Sequence, residues 1–258
     1  MALKELTYTR TELLACAAAR VLPDRASVFV GTGLPMVAGL LAQRTHAPGL
    51  LVIFEAGGVG PRVPTLPISV GDSRTFYQAA AATSMHDVMS ACQAGYIDYG
   101  FLGAAMIDIY GNINTTVIGD WAAPTARLPG SGGANDIGSL CHRTIVIMRQ
   151  DRRRFVPRVN FITTPGYLDG PGARERAGLP TGTGPYRVIT QWGVFGFDEE
   201  TCRMKLLALH PGFTFEQAQA EASFELETEE FIETTPAPTE EELTCLHEID
   251  PLGMVLAR

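Results

Sequence analysis

Glu55 is the residue whose surroundings most invite chemistry: it follows the apolar run Leu50-Leu51-Val52-Ile53-Phe54 and precedes Ala56-Gly57-Gly58. A carboxylate in that position should be partly desolvated, and the glycines let backbone amides approach a ligand that side chains would block. Such a group can serve as a covalent nucleophile or as a general base. A strand-end charge that simply turns to solvent is the plainer reading, and both stay open at this level. Two glycine loops could supply the rest of a site. Gly31-Thr32-Gly33-Leu34-Pro35 combines a tight turn with a helix start, which can hold an anion, although it is not a full GxGxxG and is also an ordinary strand-to-helix turn. Gly130-Ser131-Gly132-Gly133 can aim successive amides at a developing oxyanion, with a flexible loop as its alternative.

Other reactive side chains carry weaker signals. Arg149, Arg152, Arg153 and Arg154 form a basic cluster that could meet coenzyme A phosphates or an acidic partner surface, with a solvated turn after a buried strand as the plainer reading. His46, His86, His142, His210 and His247 are isolated, and Ser131 lies outside a GxSxG elbow, so a serine hydrolase gains no support. The five cysteines are scattered, with no CxxC pair and no Cys/His cluster at metal-binding spacing, so no metal site is expected.

These loops need a scaffold, and the first half of the chain supplies a strand-then-helix rhythm. Thr9 with Glu12 marks a capping box for a helix to about Leu22; residues 27–30 read as a short buried strand, 37–44 as a helix and 50–54 as the next strand. Ser84 with Asp87 opens a further helix to Gln93, with Gly95 as its cap, and residues 99–103 resume the sheet. Residues 112–118 and 144–148 are rich in β-branched side chains and read as strands, as do 186–190 and 193–197. The span 165–185 is crowded with glycine and proline and reads as an irregular excursion, with a cover over the site as one role for it and plain surface packing as the other. Thr214 with Gln217 and Thr239 with Glu242 mark two late helices, while the acidic segment 225–233 looks loose. In an open α/β sheet the ligand crevice lies beyond the carboxyl ends of the strands, which is where the 31–33, 55–58 and 103–105 loops begin.

Composition sets the outer bounds. A chain of 258 residues with 46% hydrophobic residues can bury a substantial core, and one domain over residues 1–258 is expected. The net charge of −8 offers no reason to expect nucleic acid or an anionic membrane as partner. The first ten residues lack the apolar stretch of a signal peptide, and no later run approaches the ~20 residues needed to span a bilayer. A soluble, cytoplasmic protein is expected.

Taken in order, Gly31-Thr32-Gly33-Leu34-Pro35, Phe54-Glu55-Ala56-Gly57, Ser69-Val70-Gly71-Asp72, the run from Gly111 to Asp120, Gly130-Ser131-Gly132-Gly133-Ala134-Asn135, Arg153-Arg154-Phe155 and Pro165-Gly166-Tyr167-Leu168-Asp169-Gly170-Pro171-Gly172 resemble the B subunits of class I CoA-transferases. The match spans nearly the whole chain and is nearest to the glutaconate and 3-oxoadipate groups. That resemblance implies a three-layer α/β/α fold, a largely parallel sheet with helices on both faces. It also implies Glu55 as nucleophile, forming a glutamyl-CoA thioester in ping-pong exchange between carboxylic acids of the dicarboxylic or oxo type. Gly132 or Gly133 would be the oxyanion donor, with Gly31 and Gly33 at the coenzyme. No permanently bound cofactor is implied; coenzyme A enters as acyl-CoA substrate, and an A subunit completes a heterodimer, repeated as a heterotetramer or larger. The sequence departs from the glutaconate pattern in one place: Ala56 stands where that group has a serine, so a hydroxyl beside the glutamate is lost. An acyl-CoA hydrolase or decarboxylase on the same scaffold, or a non-catalytic partner subunit, are the alternatives.

Overall fold

Capping and strand alternation account for most of the observed elements. The computed structural model describes residues 8–256; the segment 1–7, which carries most of the signal-peptide reading, lies outside them. Helix α1 (Arg10–Ala19) starts at Thr9, whose hydroxyl accepts the Glu12 N–H while the Glu12 carboxylate accepts the Thr9 N–H. Strand β1 (Ser27–Val30) follows, then α2 (Leu34–Arg44), β2 (Leu51–Ile53), β3 (Gly58–Val59), β4 (Ala81–Ala82), α3 (Met85–Gln93) and β5 (Tyr99–Gly103). A loop-rich middle holds β6 (Met106–Asp108), β7 (Ile113–Asn114), β8 (Val117–Gly119) and β9 (Pro124–Arg127). Beyond it come α4 (Ala134–Leu140), β10 (Arg143–Ile147), β11 (Phe155–Val156), α5 (Ala173–Arg176), β12 (Gly184–Ile189), β13 (Gly193–Phe197), β14 (Met204–Leu209), α6 (Phe215–Ala220), β15 (Glu227–Thr234) and α7 (Glu240–Ile249).

Ten of these strands form one sheet in the order β15-β14-β13-β12-β10-β5-β1-β2-β3-β4. The central run from β12 to β2 is parallel; antiparallel pairs extend it at both sides, and β15 joins β14 in parallel at one edge. Side chains one residue apart face opposite layers: Val28 and Val30 join the core under α1, α2 and α7, whereas Phe29 joins the core under α3, α4 and α6. Two cores on two faces make the three-layer α/β/α arrangement, which explains why the central strands carry apolar side chains on both faces. Among the described residues no helix is long and apolar enough to cross a membrane.

Several expectations shift. The first helix ends at Ala19, with Val21 and Leu22 in a closing turn, and α2 begins at Leu34 because Pro35 occupies its first turn, where a missing N–H costs nothing. The run 112–118 is two short strands, broken where the Asn114 side chain accepts the Thr116 and Val117 amides and bends the chain. The acidic segment is ordered as edge strand β15, in which Glu227 pairs with Arg203 and Glu229 with Lys205 of β14. Cross-strand charge pairing replaces the apolar burial that β15 lacks.

Candidate active site

The strand order reverses around β1: the chain passes to β2 on one side and later to β5 on the other. Loops from neighbouring strands therefore diverge there and leave a crevice. A cavity of about 580 Å³ occupies it, lined among others by Gly31 and Thr32 after β1, Glu55 after β2 and Gly103-Ala104-Ala105 after β5.

Glu55 sits on a tight turn. The Gly57 N–H donates to the Phe54 carbonyl at 2.9 Å and the Phe54 N–H to the Gly58 carbonyl at 2.9 Å, so Glu55 and Ala56 form the corner of the β2–β3 hairpin. Gly57 has φ +109°, and a Cβ there would collide with the Thr83 carbonyl, so no other residue fits. The corner is rigid, and the half-buried Glu55 side chain makes no hydrogen bond or ion pair among the described residues.

Opposite it lies the 129–133 loop. Thr115 fixes this loop from both sides, accepting the Gly130 N–H on its carbonyl at 2.8 Å and donating its hydroxyl to the Gly130 carbonyl at 2.8 Å. Ser131 holds the other end, its carbonyl accepting the Ala134 N–H and its hydroxyl the Asn135 N–H. Between these anchors the N–H groups of Gly132 and Gly133 donate to nothing among the described residues. Gly133 packs directly on the nucleophile candidate: a Cβ placed on it would lie 3.0 Å from Glu55 Oε1 and 2.6 Å from Met89 Cε.

The other sequence candidates are placed unevenly. Gly31 lines the cavity, yet its N–H is already given to the Phe101 carbonyl at 2.9 Å, so its contribution there is the space of a missing side chain. Gly33, with φ +87°, caps α2 and is absent from the cavity lining. Of the four arginines only Arg154 lines the cavity; Arg149 lines a separate groove with Arg10 and Trp192, and Arg152 and Arg153 are exposed. Thr115 and Val70 carry no site role in the sequence reading although both lie in motifs that bear the resemblance, and Met89 lies in none of them.

Buried polar groups brace this wall from behind. Asp108, fully buried, accepts from the amides of Tyr110, Asn112 and Val159 and from the Asn112 side chain; burial pushes its carboxyl pKa up and these bonds pull it down. Asn112 also accepts the Gly166 and Leu168 amides and donates to the Leu168 carbonyl. Arg174, 2% exposed, reaches the Pro165, Gly166, Gly138 and Ser139 carbonyls and the Thr183 hydroxyl, and burial draws its pKa down. Gly138 and Ser139 are in the last turn of α4, so the guanidinium satisfies carbonyls the short helix leaves open. The 165–185 span is thus pinned under α4 instead of lying over the cavity, and none of its residues lines it.

A doubly covered α/β sheet with a carboxylate and free glycine amides at its switch point fits the acyl-transfer enzymes that work on thioesters, and residues 11–221 match the coenzyme A transferase family model. The chain belongs to that family. Within it the likeness is to B subunits. That of 3-oxoadipate CoA-transferase from Pseudomonas knackmussii is 38% identical over 244 residues, covering 94% of each chain. That of glutaconate CoA-transferase from Acidaminococcus fermentans is 37% identical over 250 residues, covering 95% of this chain and 93% of that one. The crystal structure of the latter organism's glutaconate coenzyme A-transferase superposes with a TM-score of 0.92 over 99% of this chain and 100% of that one, at 34% identity. The decarboxylase AibA/AibB shares the fold at a TM-score of 0.82 and 26% identity, covering 96% of this chain and 98% of that one.

Proposed function

We propose that this chain is the catalytic B subunit of a two-subunit CoA-transferase, acting as a single domain over residues 1–258 with Glu55 as nucleophile. The observation that carries the reading is the contact between Gly133 and the Glu55 carboxylate, beside two unclaimed amides in one cavity. The Glu55 carboxylate attacks the thioester carbonyl of a donor acyl-CoA, and the tetrahedral oxyanion collapses with loss of the CoA thiolate to give a mixed anhydride. The thiolate then attacks the glutamyl carbonyl, releasing the donor acid as its carboxylate and leaving a glutamyl-CoA thioester. An incoming carboxylate reverses both steps: it displaces the thiolate to form a second anhydride, and the thiolate takes the new acyl group and frees Glu55. No proton is gained or lost, so the cycle asks for no general base.

Each addition creates an oxyanion, for which the Gly132 and Gly133 N–H groups are the available donors; one such donor is worth roughly 3 kcal/mol in comparable sites. A carboxylate nucleophile conserves the thioester's group-transfer energy in the anhydride. Coenzyme A serves as substrate, with no resident cofactor. The relatives' names point to dicarboxylic and oxo acids and to an A subunit, in a heterodimer repeated by symmetry. A cytoplasmic setting suits this chemistry.

Borohydride reduction of the reconstituted complex in the presence of an acyl-CoA, followed by peptide mass spectrometry, tests the reading. The expected result is Glu55 reduced to the alcohol, with loss of exchange in Glu55→Gln. A Glu55→Ala complex that still moves CoA between acids sinks it. The likeness to a decarboxylase favours a second reading, in which Glu55 acts as a base; turnover with carbon dioxide release and no Glu55 adduct selects it.

A further inference from the structure

Among the described residues whose side chains line the cavity, Glu55 is the one anion and Arg154 the one cation. The surfaces around them are mostly carbon: Phe29, Leu102, Ala104 and Ile137 with the glycine backbone. Arg154 is set in place from two sides. Its carbonyl accepts the Ile107 N–H at 2.8 Å, and its N–H donates to the Asp151 carbonyl at 2.9 Å, so the backbone is fixed between β6 and the Asp151 turn. Asp151 also pairs with the guanidinium through Nε at 3.1 Å. That pairing occupies the inner edge of the fork, and the η nitrogens make no hydrogen bond among the described residues. The side chain is 44% exposed and accessible to a ligand in the cavity.

A planar guanidinium with a free edge matches one carboxylate bidentately. A single cation in the same cavity as the nucleophile, with a largely apolar lining, suits a carbon chain with an acidic group at each end. One end meets Glu55 as the reacting carboxyl or thioester, and the other meets Arg154. Coenzyme A phosphates carry several charges, and this cavity offers them only one partner. Resting on the proposed function above, we infer that Arg154 is the specificity residue for the acid, anchoring the second carboxylate of the dicarboxylic substrate while Glu55 handles the first. Asp151 is its positioning residue.

The test compares glutarate with valerate as CoA acceptors in the reconstituted complex. The ratio of kcat/KM for the diacid to that for the monoacid should fall roughly 10- to 100-fold in Arg154→Gln, the usual scale for losing a charge-assisted hydrogen bond, mainly through KM of the diacid. Arg154→Lys, which keeps the charge and loses the fork, should fall between the two, and an unchanged melting temperature separates binding from folding. An unchanged ratio in Arg154→Gln, with Glu55 still trapped by borohydride, overturns the assignment. A higher KM for the acyl-CoA at constant acid preference also overturns it, placing the guanidinium at the coenzyme. Failure to trap Glu55 in the wild-type complex refutes the underlying transferase reading and this inference with it.

Discussion

Adding one methyl group at Gly133 should disable the site without disturbing the fold. The backbone there, at φ −79° and ψ 0°, is open to any residue, so alanine brings no conformational strain. The new Cβ would stand 2.6 Å from Met89 Cε, 3.0 Å from Glu55 Oε1 and 3.2 Å from Glu55 Cδ. The Met89 methyl ends a flexible thioether and moves away cheaply. Glu55 then has to retreat by a few tenths of an ångström to restore ordinary contact near ~3.5 Å. A misplacement of about 1 Å can cost roughly 100-fold in rate, so a shift of a few tenths of an ångström in Gly133→Ala should lower kcat by about 4- to 10-fold. Gly132→Ala is the matched control, because its Cβ would meet nothing within 4 Å whereas its φ of +51° lies in the left-handed region. That variant should lose roughly 1–2 kcal/mol of stability through backbone strain. Exchange kinetics and urea unfolding on both variants read the two effects separately. A Gly133→Ala complex that turns over at the wild-type rate, or whose loss of activity is matched by a loss of stability, would refute the contact between this loop and the nucleophile.

Two further outcomes follow from buried groups away from the reacting atoms. Arg174→Met removes five donor contacts, four of them from buried oxygens, and should lower the unfolding free energy by about 3 kcal/mol, read from the urea midpoint at constant slope. His210, 1% exposed, donates from Nε2 to the Thr190 carbonyl at 2.9 Å and accepts the Thr235 hydroxyl on Nδ1 at 2.7 Å; burial lowers its pKa from 6.5 to about 4. The unfolded chain then binds a proton that the folded one refuses, so this stability is complete above pH 6.5 and is lost as pH falls from 6.5 towards 4, by roughly 3 kcal/mol. Thermal melts across that window should slope in the wild type and flatten in His210→Gln; equal slopes would refute the burial argument.

What could be read directly from the chain was whatever is specified locally. The capping boxes at Thr9, Ser84, Thr214 and Thr239 each close within three residues, and all four helices begin where those pairs place them. Apolar runs with glycine at or shortly after their ends marked the β1, β2 and β5 exits for the same reason. The span 165–185 is largely irregular, as its composition indicates, but composition is silent about what it packs against. Its order comes from Arg174 and Asn112, whose partners lie up to 56 residues away in sequence.

The site itself divides along the same line. Glu55 was visible because burial before it and glycine after it are adjacent in sequence. Gly132 and Gly133 are equivalent in sequence; packing against Glu55 and Met89 and the backbone angle, φ +51° at Gly132 and −79° at Gly133, distinguish them. Arg152, Arg153 and Arg154 are one chemical type in succession, so no local pattern can choose among them. The choice is made by the Ile107 amide, which binds the Arg154 carbonyl, and by Asp151, which holds the side chain by its inner edge. Which of three identical side chains reaches the cavity is accordingly inaccessible to sequence, because it depends on a strand some 47 residues upstream that pairs with the backbone of Arg154.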